Sequence, residues 1–76
     1  MTVEQKKKDL EEMLDFYSRK AALFIKGNKP LYAEIHRDRV RQIQEVLKIL
    51  GYEVNKEDKE LVNGIYYHTH TITAKP

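Results

Sequence analysis

The sequence predicts an α+β fold: an antiparallel two-helix hairpin followed by a C-terminal two-stranded β-hairpin. Three observations predict it. Apolar residues recur at three- and four-residue intervals from Val3 to Leu50, the period drops to two after Gly51, and Gly27-Asn28-Lys29-Pro30 breaks the helical stretch once. With 76 residues, the chain supports one domain over 1–76 and one core, because chains this short hide only ~60% of their unfolded surface.

The first helix is expected over about 3–26. Thr2 followed by Gln5 fits a capping box, in which the hydroxyl accepts an orphan amide and the Gln side chain reaches back to the cap. Val3, Leu10, Met13, Leu14, Tyr17, Ala21, Phe24 and Ile25 then share one stripe, the pattern of a core-facing amphipathic helix. Gly27 is expected to supply the left-handed residue that stops it, and Lys26 complements the negative end of the dipole.

Pro30 suits the first turn of a second helix, expected over about 30–50. Its apolar stripe holds Tyr32, Ala33, Ile35, His36, Val40, Ile43, Val46, Leu47 and Leu50. The opposite face carries Glu34, Arg37, Asp38, Arg41, Gln44, Glu45 and Lys48, whose alternating charges support an exposed helix. So short a connection makes the helices antiparallel, with residues whose numbers sum to about 57 facing each other: Ala21 near His36, Tyr17 near Val40, Leu14 near Ile43 and Leu10 near Leu47.

After Gly51 the alternation of Tyr52-Glu53-Val54, and the run from Ile65 to Thr73, read as strands of a hairpin over about 52–73. The favoured pairing sets 52–56 against 65–73. Asn63-Gly64 offers a rival turn with 60–62 as the partner strand, and 59–62 is alternatively one helical turn. A two-stranded hairpin is marginal alone, so it must pack on the helices or extend a sheet in another copy.

Composition narrows function more than it identifies it. The chain has no cysteine, which excludes disulfides, thiol catalysis and Cys-ligated metals and makes a cytoplasmic setting the expectation. Its opening residues are too polar for a signal peptide, and no apolar run reaches membrane-spanning length. The net charge of +2 is spread along the chain, six bases against five acids in 1–26, five against three in 27–51 and three against four in 52–76. A strong basic face for nucleic acid is therefore not expected. No phosphate loop, serine elbow or spaced carboxylate pair occurs, so the expectation is a protein that is not an enzyme and needs no cofactor.

Size points to self-association. A 24-residue helix is ~36 Å long, whereas a compact chain of this length has a radius of gyration of ~11 Å. Phe16 and Leu23 lie off the first stripe and Leu31 and Ile49 flank the second, a further apolar surface that the hairpin or a second chain must cover. The leading expectation is a homodimeric interaction or regulatory protein, formed as a four-helix bundle or through hairpin strands, that binds a protein partner through Phe16, Leu23, Tyr66 and Tyr67. Ordinary cross-strand packing is the plainer account of Tyr66 and Tyr67.

Two alternatives come from other residues. Arg37, Arg41 and Lys48 form a basic outer face that suits nucleic-acid phosphates, although Glu34, Asp38 and Glu45 stand between them. His68 and His70 share one strand face and suit a divalent metal with a third ligand, set against the plainer reading of a polar strand face. His36 and Arg39 are buried polar candidates within the second stripe. His36 is expected to be a hydrogen-bonded core histidine, and Arg39 to need a carboxylate such as Asp15 or Glu53, or to lay its stem on the bundle with its head in solvent.

Overall fold

The computed structural model describes residues 2–75 and has the predicted order: α1 (Val3–Lys26), α2 (Pro30–Ile49), β1 (Tyr52–Val62) and β2 (Ile65–Ala74). Two antiparallel helices lie on one face of a two-stranded antiparallel sheet. The long helical hairpin makes the molecule elongated, 39 × 23 × 20 Å with a radius of gyration of 13.1 Å. No helix among the described residues is long and apolar enough to cross a membrane.

α1 begins on half of a capping box. Thr2 Oγ1 accepts the Gln5 N–H at 3.1 Å, but the Gln5 side chain turns forward to donate to Asp9 Oδ1 instead of back to the cap. The helix end also corrects the sequence expectation: Gly27 has a φ of −80°, and Asn28, at φ 59°, is the left-handed residue. Lys29 N–H donates to Phe24 O at 2.8 Å and Asn28 N–H to Ile25 O at 3.0 Å, the paired bonds of a Schellman motif. Asn tolerates this conformation better than most side chains, so it can take the role usually given to glycine.

α2 starts on Pro30 without a side-chain cap and ends at Ile49, one residue short of the expected Leu50. Gly51, at φ 92°, then redirects the chain into β1, and Gly64, at φ 76°, turns it into β2.

The hairpin is longer than expected. The favoured pairing of 52–56 with β2 is present and extends into a full ladder from Tyr52↔Ala74 to Val62↔Ile65, closed at the rival turn Asn63-Gly64 with a bulge between Glu60 and Val62. The run 55–60, low in strand propensity, is strand because the β-forming 65–73 supplies partners for every residue in it.

The core is small. Leu14, Val40, Leu47 and Ile72 form its centre, with Leu10, Tyr17, Ile43, Tyr52 and Val54 packed around it and Ala21, Ala22 and Ala33 buried nearer the helical turn. Leu14 and Ile72 are the largest fully buried side chains, each worth about 1.5–3 kcal/mol of apolar transfer. Tyr32, Ile35, Val46 and Leu50, assigned to the second core stripe from sequence, are instead exposed. The sheet covers only one side of the helix pair.

Candidate functional site

Polar chemistry concentrates where the helices meet the sheet, along two unlike seams. The first joins α1 to β2. Glu11, Asp15 and Ser18 recur at four- and three-residue intervals on one face of α1 and accept the outward amides of alternate β2 residues. Ile72 N–H donates to Glu11 Oε2 at 2.7 Å, His70 N–H to Asp15 Oδ1 at 2.7 Å and His68 N–H to Ser18 Oγ at 2.9 Å. The spacings nearly match: two strand residues advance ~6.8 Å, and three to four helical residues ~4.5–6 Å. A helix thus occupies the place of a third strand and satisfies the free edge of β2.

His70 is part of this seam. Its side chain has 0% exposure, and Nδ1 donates to Asp15 Oδ1 at 2.8 Å. Burial pushes its pKa below the ordinary histidine value, with the Asp15 carboxylate opposing that shift and His68 and Lys56 adding to it. Nε2 is buried without a hydrogen-bond partner. A histidine held by a carboxylate is half of a general-base device, but an enclosed ring presents no nitrogen to a substrate.

His68 points the same way along the strand, yet its Nδ1 meets Asp58 Oδ1 at 2.8 Å. The two rings stand edge-on with centroids 6.4 Å apart, each committed to a carboxylate of a different element. The alternative of His68 and His70 as a chelating pair finds each ring bonded to a separate carboxylate, and no group of three His, Asp or Glu gathers for a metal among the described residues.

The second seam, between α2 and β1, is open. A groove of about 360 Å³ runs along it. Arg37, Arg41 and Gln44 border it on α2, Lys56, Tyr66 and His68 on the sheet, and Ser18, Ala21, Ala22 and Val40 form its floor. A further cavity of about 300 Å³ shares Gln44 and Lys56 and adds Lys48, Glu45, Glu53 and Lys75. Arg37, Arg41 and Lys48 are exposed, as expected from sequence, and border this seam. Arg41 Nη2 bonds Asp38 Oδ1 at 2.6 Å and Glu34 Oε1 at 2.9 Å, and Arg37 lies 3.8 Å from Glu34. Gln44 Nε2 is a buried donor without a partner. The Tyr66 phenol is raised above its ordinary pKa by its hydrogen bond to Glu60 and by that carboxylate's charge.

A third surface is apolar: the side of the helix pair turned away from the sheet. A row of rings runs between the helices, Tyr32 to Phe24 at 5.4 Å, Phe24 to His36 at 5.2 Å and His36 to Tyr17 at 5.8 Å, and the Arg39 guanidinium lies 5.7 Å from the Tyr17 ring. The expected burial of His36 and Arg39 is corrected, while His36 keeps its expected hydrogen bond and Arg39 the expected stem on the bundle with its head in solvent. His36 is half-buried and bonds through Nδ1 to Tyr32 O one turn earlier, and Arg39 is exposed, with an aromatic face as its partner and neither Asp15 nor Glu53. Beside this row stand Met13, Ile35, Val46, Ile49 and Leu50, and Leu10, Ile43, Val46 and Leu50 enclose an apolar cleft of about 270 Å³.

The sequence-derived partner residues separate. Phe16 and Tyr67 border one cavity with Arg19 and Thr69, Tyr66 lies in the α2–β1 groove, and Leu23 is exposed elsewhere on α1. Sequence reasoning missed the Glu11, Asp15 and Ser18 series, although its helical spacing was a usable signal, and missed Lys56, whose place in the groove depends on the full hairpin register. Comparison with protein-family models, with curated proteins and with solved structures gives no match to this chain.

Proposed function

We propose that this chain is a non-catalytic interaction protein that acts as a homodimer, its two copies joining through the outer apolar face of the helical hairpin to form a four-helix bundle. One observation carries this reading: large apolar side chains on both helices stay exposed on the side away from the sheet, Ile35 at 51% and Val46 at 56% among them. Their spacing supports a helical partner. Residues 10, 13, 17 and 24 on α1, and 32, 35, 39, 43, 46 and 50 on α2, follow the three- and four-residue intervals of a bundle seam. A second copy offers a stripe of the same length and pattern, and a face of this extent is uncommon on a free monomer. A two-fold dimer then leaves both sheets outward, with Phe16 and Tyr67 free for a protein partner.

Sedimentation velocity at tens of micromolar tests the reading. The wild-type chain is expected to sediment as a dimer, and the double variant Ile35→Glu, Val46→Glu as a monomer with an unchanged far-UV circular dichroism spectrum, because neither side chain belongs to the folded core. A wild-type monomer at that concentration sinks it.

A further inference from the structure

We infer that the α2–β1 groove is a binding site for a small phosphate monoester carrying a compact planar body. The inference is independent of dimerisation, since the groove lies on the sheet side of the helices. Its lining sets three bases, Arg37, Arg41 and Lys56, against one carboxylate, Glu34. Asp38, which bonds Arg41 from beside the groove, leaves a surplus of one positive charge that an anionic headgroup suits, and guanidinium groups recognise phosphate oxygens through their planar donor fork. Arg41 is held in place by Asp38 and Glu34 through Nη2 alone, so its remaining N–H donors stay available.

A further feature points to the body of the ligand. The floor is made of short apolar side chains, Ala21 and Ala22 with Val40, and Tyr66 borders the same groove. A compact planar body fits over this apolar floor beside Tyr66, with its phosphate toward the bases. The volume of about 360 Å³ falls at the small end of ligand-sized cavities. A nucleic-acid backbone is a poorer match, because a strand that follows the seam toward Lys48 meets Glu45 and Glu53 in the adjoining cavity.

The test is an NMR titration of the full chain with phenyl phosphate, reading the Gln44 side-chain amide and the Ala21 and Ala22 backbone amides. A saturable shift of all three is expected, a weaker one with inorganic phosphate and none with phenol. Lys56→Gln, an exposed position that leaves the fold intact, should weaken phenyl phosphate binding about tenfold, the loss expected for one charge-assisted contact. Lys59→Gln makes the same charge change on the other face of β1 and should leave binding unaltered. Failure to saturate, equal binding by phenol, or full affinity in Lys56→Gln overturns the proposal. A single-stranded oligonucleotide that binds the groove more tightly than phenyl phosphate overturns it too, in favour of a polymeric ligand.

Discussion

The two seams begin from the same requirement, a helix laid beside the edge of a two-stranded sheet, and meet it in opposite ways. On the α1–β2 side, Glu11, Asp15 and Ser18 reach across and close the edge amides of β2. On the α2–β1 side, Arg37, Arg41 and Lys56 border a groove, and α2 offers the strand no comparable acceptors. In the ladder, Val54, Lys56 and Asp58 stand opposite Ile72, His70 and His68, so their amides point outward on the free edge of β1. Acceptors spaced to the strand weld one side of the molecule, while the other, bordered by donors, stays an open groove. Stability and binding capacity are thereby assigned to different halves of one small molecule.

The largest expected effect comes from breaking the closed seam. Asp15→Ala removes the carboxylate that accepts both the His70 amide and its ring N–H, and should cost about 2–4 kcal/mol in urea unfolding, since charged acceptors are worth about 1.5–3 kcal/mol and orphaned buried donors add to the loss. Ser18→Ala, which deletes a neutral acceptor, should cost about 1 kcal/mol. A loss below 0.5 kcal/mol for Asp15→Ala, on a scale where ~1 kcal/mol is an ordinary mutation, would show that the seam is not a weld.

Protonation probes the same seam more gently. His70 has a depressed pKa in the fold, so the unfolded chain binds more protons as the pH falls below about 6.5, the unperturbed value. Its contribution is complete above that pH and is lost as the pH falls toward the depressed folded value. The unfolding free energy of the wild type should therefore fall between pH 7 and pH 5, with part of the slope absent in His70→Gln. Identical slopes in the two chains would remove His70 as the cause.

The smallest stability change belongs to the open seam: Arg41→Gln should shift stability by less than about 1 kcal/mol, because its ion pairs are exposed. Hydrogen exchange compares the two seams directly. Amides of His68, His70 and Ile72 should be protected to near the global unfolding free energy, whereas those of Val54, Lys56 and Asp58 should exchange through local opening. Equal protection on both edges would erase the distinction.

Much of the fold was legible because periodicity and punctuation agree: the stripes gave both helices nearly to the residue, and Gly51 with Asn63-Gly64 marked the turns. What escaped was decided by partners distant in sequence. The polar run 55–60 reads as a loop until β2 pairs with it, and Asn28 displaces Gly27 because the pair of bonds that closes α1 places the left-handed residue one position later. Contacts across the helical hairpin involve number pairs that sum to between 53 and 60, as with Tyr17 and His36 or Phe24 and His36, close to the expected value of 57. The apolar stripes showed which residues avoid water but not that one sheet covers only half of them, so Ile35 and Val46 read as core. Lys56 could not be placed in a groove without the register that brings it opposite His70.

The unpaired rim of β1 has one more consequence. An edge of this length is a template for stacking chain upon chain into fibres, yet its middle stretch reads Lys56-Glu57-Asp58-Lys59-Glu60, a charge at every step. An approaching strand must strip water from all of them. The stretch that looked least like a strand thus guards the open edge against pairing with another chain.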